Sequence, residues 1–224
     1  APQSRHDRGG RSDDYETGGN FHLILLAMNR EGYKNLCRLV SLGYQEGLHY
    51  GKPRVDKEVL RDLNGGLIAL SGCLSGEVAR NIAAGRLERA RDAAEEYARL
   101  FDGRYYCEIQ DNHLPIQEQV NREVRSLAKT LGLPLVATND CHYLKREDAA
   151  AHEALLCIQT GKTLADPKRW KFETDQLYVK GPEEMAAAFA DVPEAISNTL
   201  HIAKRCDVQL KQKWRFPAYQ VAKD

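Results

Sequence analysis

Residues 65–78 read GGLIALSGCLSGEV, an apolar run of strand length that leads into a glycine-bounded turn and then a helical pattern. Similar apolar runs recur along the chain, separated by helical patterns. Strands that are apolar throughout are buried on both faces, so the pattern predicts an α/β domain with a parallel sheet. The predicted strands are 21–28, 65–72, 104–110 and 133–139. The predicted helices between and after them are 30–46, 77–84, 87–101, 116–131 and 146–159.

The pattern changes beyond Thr160, where a stretch that contains Pro167 and Trp170 shows no regular period. Two short helices are predicted after it, at 182–191 and 193–206, because each begins at a proline. We therefore expect a loop-like N-terminal segment, a β/α core, an excursion with C-terminal helices, and a linker toward a further domain. Their boundaries are 1–20, 21–160, 161–210 and 211–224.

Composition excludes several classes of protein. The 224 residues include 32 Lys and Arg against 32 Asp and Glu, and 42% are hydrophobic, which is typical of neither disordered nor fibrous chains. Zero net charge removes a general attraction for phosphate backbones, so any nucleic-acid contact must come from a local patch. No apolar run approaches the ~20 residues of a membrane span. Six scattered cysteines without a CxxC pair favour free thiols and a cytoplasmic location.

Candidate site residues follow two of the predicted strands. Side chains at the carboxyl ends of parallel strands meet at one rim of the sheet. Cys73 follows the second strand, and Asp140 and His142 follow the fourth. Because residues two apart in extended chain point to the same side, Asp140 and His142 can bind one metal ion or two adjacent ones. A set of Asp, His and Cys suits Zn²⁺ better than Mg²⁺, which prefers oxygen ligands.

Each of these residues also has a structural interpretation. Asp140 and His142 can instead cap the following helix, and a single cysteine such as Cys73 is commonly a small buried residue. By position alone, His22 at the start of the first strand is more often a core histidine than a ligand. Further residues follow the third strand, where they could line the same rim or belong to a solvated loop: Glu108, Asp111 and His113.

Other possible motifs are weaker. Cys141 lies between Asp140 and His142, but neighbours in extended chain point to opposite faces, so its thiol is expected to face away. The sequence TGKT at 160–163 resembles the end of a phosphate-binding loop, but Leu156 stands where such a loop needs a glycine, five residues before Gly161. The run 168–171 places three cationic residues around Trp170 and could touch nucleic acid, with a solvated loop anchored by Trp170 as the alternative.

Taken together, five stretches resemble the PHP domain of the bacterial DNA polymerase III α subunit, in the same order as in that family. They read FHLILLAMNREGYKNLCRLVSLGYQEG, KPRVDKEVL, GLIALSGCLSGEV, ATNDCHYLKREDAAAHEALLCIQTGKTLADPKRW and FADVPEAISNTLHIAKRCDV. The resemblance implies a distorted, TIM-like (β/α)7 barrel, of which this chain holds about four strands and a C-terminal helical extension.

The resemblance also implies a site and a chemistry. The positions that match the family's metal ligands are His22, Cys73, Asp140 and His142. They imply divalent metal ions, zinc foremost, with manganese or magnesium as alternatives, and a metal-dependent 3′–5′ exonuclease or phosphoesterase activity that serves proofreading. The family's first ligands would lie upstream of Ala1, so we expect a fragment that is itself inactive.

The parent protein implied by the resemblance is a replicative DNA-directed DNA polymerase, a nucleotidyltransferase that uses magnesium. Its catalytic carboxylates would lie outside this chain. The implied partners are the rest of the α chain, primer-template DNA, dNTPs, a proofreading exonuclease subunit and the sliding clamp. Two alternatives stay open: a structural scaffold that docks the separate proofreading exonuclease, and a free-standing PHP metallo-phosphoesterase of the histidinol-phosphatase type.

Overall fold

All four predicted strands are present in the computed structural model, which describes residues 4–6 and 20–210. The strands are β1 (Ile24–Ala27), β2 (Leu67–Leu70), β3 (Tyr105–Gln110) and β4 (Leu135–Thr138). The helices are α1 (Arg30–Gln45), α2 (Lys57–Leu63), α3 (Glu77–Ala83), α4 (Leu87–Phe101), α5 (Pro115–Leu131), α6 (Ala149–Thr160), α7 (Pro182–Ala188) and α8 (Pro193–Arg205), with a 3₁₀ turn at Arg146–Asp148. The predicted linker at 211–224 and most of the predicted loop at 1–20 lie outside the described residues.

The strands form a sheet in the order β1-β2-β3-β4, and the prediction that all of them are parallel is wrong for β1. Strands β2, β3 and β4 are parallel to one another, but β1 is antiparallel to β2, with Ala27 opposite Leu67. The reason is α2, a short helix that the hydrophobic pattern did not reveal. Two helices in succession, α1 and α2, return the chain to the end of the sheet where β1 stops, whereas one crossover helix would have reached the other end.

The sheet is covered on both faces, as its uninterrupted apolar strands predict. Strands β2 and β3 are buried along their whole length. Leu67 and Ala69 belong to a large apolar cluster with side chains of α3, α4 and α5. Ile68 and Leu70 face the other way, into a smaller cluster that includes Ile202 of α8. Because successive strand residues point to opposite faces, both layers of helices are held by the same short strands.

A buried carboxylate fixes the return path through α2. The side chain of Asp56 caps α2 by accepting a hydrogen bond from the Val59 amide. It also accepts from the backbone N–H of Arg5 at 2.8 Å and from the Arg5 guanidinium at 3.2 Å. Burial raises the pKa of Asp56, but these hydrogen bonds and the positive charge of Arg5 outweigh it, so the pKa lies below its usual value.

We expect Asp56→Asn to lower the free energy of unfolding by about 1.5–3 kcal/mol at neutral pH, since the partly buried Arg5 guanidinium loses a charged acceptor. A carboxyl whose pKa is depressed in the folded state stabilises it fully above the unfolded pKa of about 3.9. That stabilisation is lost as the pH falls through the folded-state pKa. The difference between the two proteins should therefore shrink in acid, as measured by urea titration at neutral and low pH.

Asp62→Asn is the matched control, because Asp62 lies on the exposed side of the same helix. Its effect should be within about 0.5 kcal/mol at both pH values. An Asp56→Asn penalty that stays the same in acid would contradict the ionic explanation.

Candidate metal centre

The turn after β2 is built so that the beginning of β1 contacts it. Gly72 has a φ of +83°, and a Cβ there would lie 2.9 Å from the carbonyl oxygen of His22. A Cβ at Gly76 would lie only 2.1 Å from the Ser71 carbonyl oxygen, so this turn requires both glycines. The His22 amide donates a 3.0 Å hydrogen bond to the Ser75 carbonyl. The backbone of His22 is thereby held against the loop that carries Cys73.

His22 and Cys73 form the first donor pair of the site. The Cys73 Sγ lies 3.6 Å from the His22 Nδ1. His22 is exposed and Cys73 is half-buried, so the core interpretation of His22 and the buried interpretation of Cys73 are both wrong. Burial raises the pKa of the Cys73 thiol, and the charges of Asp140 and Glu108 raise it further, against a hydrogen bond from the Ser75 backbone that lowers it.

Asp140 and His142 form the second donor pair, directly after β4. The Asp140 Oδ1 and the His142 Nε2 are 3.5 Å apart, which confirms that the two side chains point the same way. The His142 amide donates to the Leu177 carbonyl at 2.7 Å, so this segment is held against the excursion that follows α6. The turn that starts this helical region is instead closed by Asp148, whose carboxylate accepts from the Lys145 amide. The helix-capping interpretation of Asp140 and His142 is therefore wrong.

The spacing within each pair fits two ligands of one zinc ion. Zinc bonds of about 2.3 Å to sulfur and 2.0–2.1 Å to nitrogen or oxygen, at tetrahedral angles, place sulfur and nitrogen about 3.6 Å apart and oxygen and nitrogen about 3.4 Å apart. The nitrogen, sulfur and oxygen donors also suit zinc. Within residues 4–6 and 20–210, however, no three such side chains are grouped closely enough to hold an ion together. The described residues thus supply two half-sites.

Glu108 is the residue that the sequence analysis undervalued. It is not in a loop but within β3, where only 7% of the residue is exposed. Its carboxylate accepts hydrogen bonds from the Gly72 amide at 2.8 Å, from the Gln110 side chain at 3.2 Å and from the Thr138 hydroxyl. Burial raises its pKa, and these hydrogen bonds partly oppose the rise. The signal in the sequence was an acidic residue inside an otherwise uncharged strand.

The remaining candidates lie at the margin of the site. Asp111 is half-buried and His113 is exposed, with a carboxylate–imidazole distance of 3.8 Å, in agreement with the solvated-loop alternative. Cys141 is exposed and its thiol donates to the Tyr178 carbonyl at 3.5 Å. Trp170 is 54% exposed, while Arg169 is anchored by Glu153 at 2.7 Å.

Comparison with known proteins shows which family and which relatives this chain is similar to. Residues 4–112 match the PHP domain family. The chain is 47% identical over 229 residues to the DNA polymerase III subunit alpha of Thermus aquaticus, which covers 99% of this chain and 18% of the relative. It is 48% identical over 225 residues to that of Deinococcus radiodurans, covering 97% and 17%. For that of Treponema pallidum the identity is 44% over 224 residues, covering 99% and 19%.

The family resemblance read from the sequence is thus confirmed. Residues 4–112 match the PHP domain family, and the chain is similar along nearly its whole length to proteins named DNA polymerase III subunit alpha. It spans less than a fifth of the length of these relatives. Among the described residues, no helix is both long and apolar enough to cross a membrane.

Replacing Glu108 with alanine tests whether this carboxylate holds the rim together. We expect Glu108→Ala to lower the free energy of unfolding by about 2–3 kcal/mol, because the Gly72 amide and the Thr138 hydroxyl lose a buried acceptor. Chemical denaturation measures the effect. Glu123→Ala, at an exposed position of α5, is the control and should change stability by less than about 0.5 kcal/mol. Equal effects of the two substitutions would contradict the assignment.

Proposed function

We propose that this chain is the PHP portion of a replicative DNA polymerase III α subunit, and that its rim binds divalent metal ions that serve 3′–5′ phosphodiester hydrolysis. The observation that carries the proposal is the pair of half-sites, His22 with Cys73 and Asp140 with His142. The relatives named DNA polymerase III subunit alpha support the identity of the parent protein.

The proposed fold is a part of a (β/α)7 barrel. Support comes from the parallel run β2, β3 and β4, with helices on both faces and donors at one rim. In the described part of the chain, β1 and β4 are the edge strands of the sheet. Further strands of a longer chain would cover such edges, which are otherwise exposed for pairing.

The four proposed ligands are His22, Cys73, Asp140 and His142, with zinc favoured over manganese or magnesium because a thiol is among the donors. A bound divalent ion would polarise the scissile phosphate and neutralise developing negative charge. The protein's own contribution is orientation. Glu108, in β3, binds both Gly72 in the turn that contains Cys73 and Thr138 at the end of β4. The Leu177 carbonyl holds the backbone of His142.

The parent protein's wider activity is part of the same proposal. It comprises DNA-directed DNA synthesis with magnesium at carboxylates outside this chain, and contacts with primer-template DNA, dNTPs, a proofreading exonuclease subunit and the sliding clamp. A cytoplasmic location is proposed with it, since all six cysteines are free thiols. The chain is similar along nearly its whole length to relatives named as polymerase subunits. This similarity favours the assignment over a free-standing histidinol-phosphatase-like enzyme.

A structural scaffold is the second candidate, and one observation favours it. The described residues bring donors together in twos rather than in a set of three or more. A scaffold that docks a separate exonuclease has no need of stoichiometric metal. Metal content therefore separates the two candidates more directly than activity does.

His142→Ala is expected to lower zinc affinity by at least about tenfold, because one half-site is left with a single donor. Zinc content is measured after dialysis against a zinc buffer, in this chain and in the complete α subunit. In the complete subunit, release of 3′-terminal nucleotides should fall with the zinc content, while polymerisation is retained if the metal does not also hold the fold together.

His201→Ala is the matched control, since His201 is exposed on α8 and bonds only locally to Asn198 among the hydrogen bonds described. It should leave zinc content unchanged. Full zinc occupancy in His142→Ala would overturn the ligand assignment, and a metal-free wild-type α subunit would favour the scaffold.

A further inference from the structure

A groove of about 640 Å³ opens beside the second donor pair. Its volume lies within the range of about 300–1,000 Å³ that is usual for small-molecule sites. Tyr143, from the segment after β4, His152 of α6 and Phe172 of the segment that follows α6 line it. The groove is separate from the four proposed ligands, none of which lines it. Its position at the rim makes it a neighbour of the proposed metal centre.

The aromatic residues that line the groove belong to a cluster of rings that extends behind the wall to His142. The His142 ring lies 4.7 Å from the Phe172 ring and 5.4 Å from the His152 ring, measured between centroids. Phe172 and His152 are stacked at 5.6 Å with 30° between their planes, and Tyr143 lies 5.4 Å from His152. Trp170 packs edge-on against Phe172 at 4.8 Å. A flat aromatic ligand in the groove would therefore be one ring away from the proposed ligand His142.

Charge in the groove is balanced. The groove's three cationic residues each face a carboxylate: Arg146 with Asp175 at 2.8 Å, Arg169 with Glu153 at 2.7 Å, and Lys171 with Glu173 at 3.6 Å. A groove with paired charges has little net attraction for a phosphate backbone. Its affinity must come mainly from aromatic stacking and hydrogen bonds, which is how bases of unpaired strands are bound.

We propose that this groove binds the unpaired terminal nucleotide of single-stranded DNA, with its base on the surface formed by Tyr143, His152 and Phe172. The terminal phosphodiester then points toward Asp140 and His142. The inference rests on the proposed hydrolytic function, which requires a strand end next to the metal centre. A duplex end presents no unpaired base to such a surface, so the groove selects frayed over paired ends.

The test compares two fluorescent oligothymidylates that are identical except that one lacks its 3′-terminal base. A phosphorothioate at the terminal linkage blocks hydrolysis. Fluorescence anisotropy with the 224-residue chain should show that the oligonucleotide without the terminal base binds at least about fivefold more weakly than the complete one. Since phosphates contribute little, the logarithmic salt dependence should be shallower than about −1.5, which corresponds to about two phosphates. Equal binding of the two oligonucleotides, or a steeper dependence on salt, would overturn the proposal.

Phe172→Leu keeps an apolar side chain but removes the aromatic face, so it should abolish the preference for the terminal base. Tyr44→Leu is the matched control, because Tyr44 is an exposed aromatic residue of α1 that does not line the groove. It should keep the full preference. A preference that survives Phe172→Leu would count against the groove. The comparison of oligonucleotides on the wild-type chain remains decisive if this variant does not fold.

Competition identifies the part of the nucleotide that is recognised. Thymidine monophosphate should displace the oligonucleotide, and inorganic phosphate at the same concentration should not. Equal displacement by both would show a phosphate site and overturn the proposal. Binding is measured on the 224-residue chain, and hydrolysis is measured separately on the complete α subunit with an unmodified terminal linkage. A preference for the terminal base without hydrolysis supports the groove and counts only against the proposed function, whereas hydrolysis without that preference overturns the groove alone.

Discussion

The antiparallel pairing of β1 with β2 is the constraint on which the rim depends. It brings the start of β1 to the carboxyl end of β2, where His22 pairs with Gly76 and its ring contacts Cys73. In a wholly parallel sheet, His22 would lie at the other end of the strands, about 15 Å from Cys73 for strands of this length. The two-helix return through α1 and α2 is therefore what creates the first donor pair. The buried Asp56 stabilises this return path, because it caps α2 and binds Arg5.

Glu108 gives the rim its second constraint. Strand β3 lies between β2 and β4, so it separates the two donor pairs, and its carboxylate reaches both neighbours through Gly72 and Thr138. A buried carboxylate is costly unless it is fully hydrogen-bonded, and here three donors meet that need. Burial raises the pKa of Cys73, and this negative charge and that of Asp140 raise it further. This polarity favours a cation at the rim and disfavours a free thiolate.

How far the sequence could predict this arrangement depends on how local each feature is. The strands were predictable because long apolar runs need burial, and the Asp140–His142 pair was predictable because it needs only the two-residue repeat of extended chain. The pairing of His22 with Cys73 spans 51 positions and depends on the direction of β1, which an apolar run does not encode. Helix α2 was missed because seven residues carry too little periodicity. Its one local signal was the capping residue Asp56.

Zero net charge acquires a physical meaning from the arrangement around the rim. Among the described residues, the three cations that line the groove are paired with carboxylates, so the groove itself offers little attraction for the phosphates of duplex DNA. A hydrolytic centre that attracted duplex DNA would compete with synthesis for correctly paired ends. Under the proposed function, a neutral, aromatic approach would respond instead to an unpaired base, which is the feature that distinguishes a misincorporated end from a paired one. Selectivity for errors would then follow from the availability of the base and would not require affinity for the phosphate backbone.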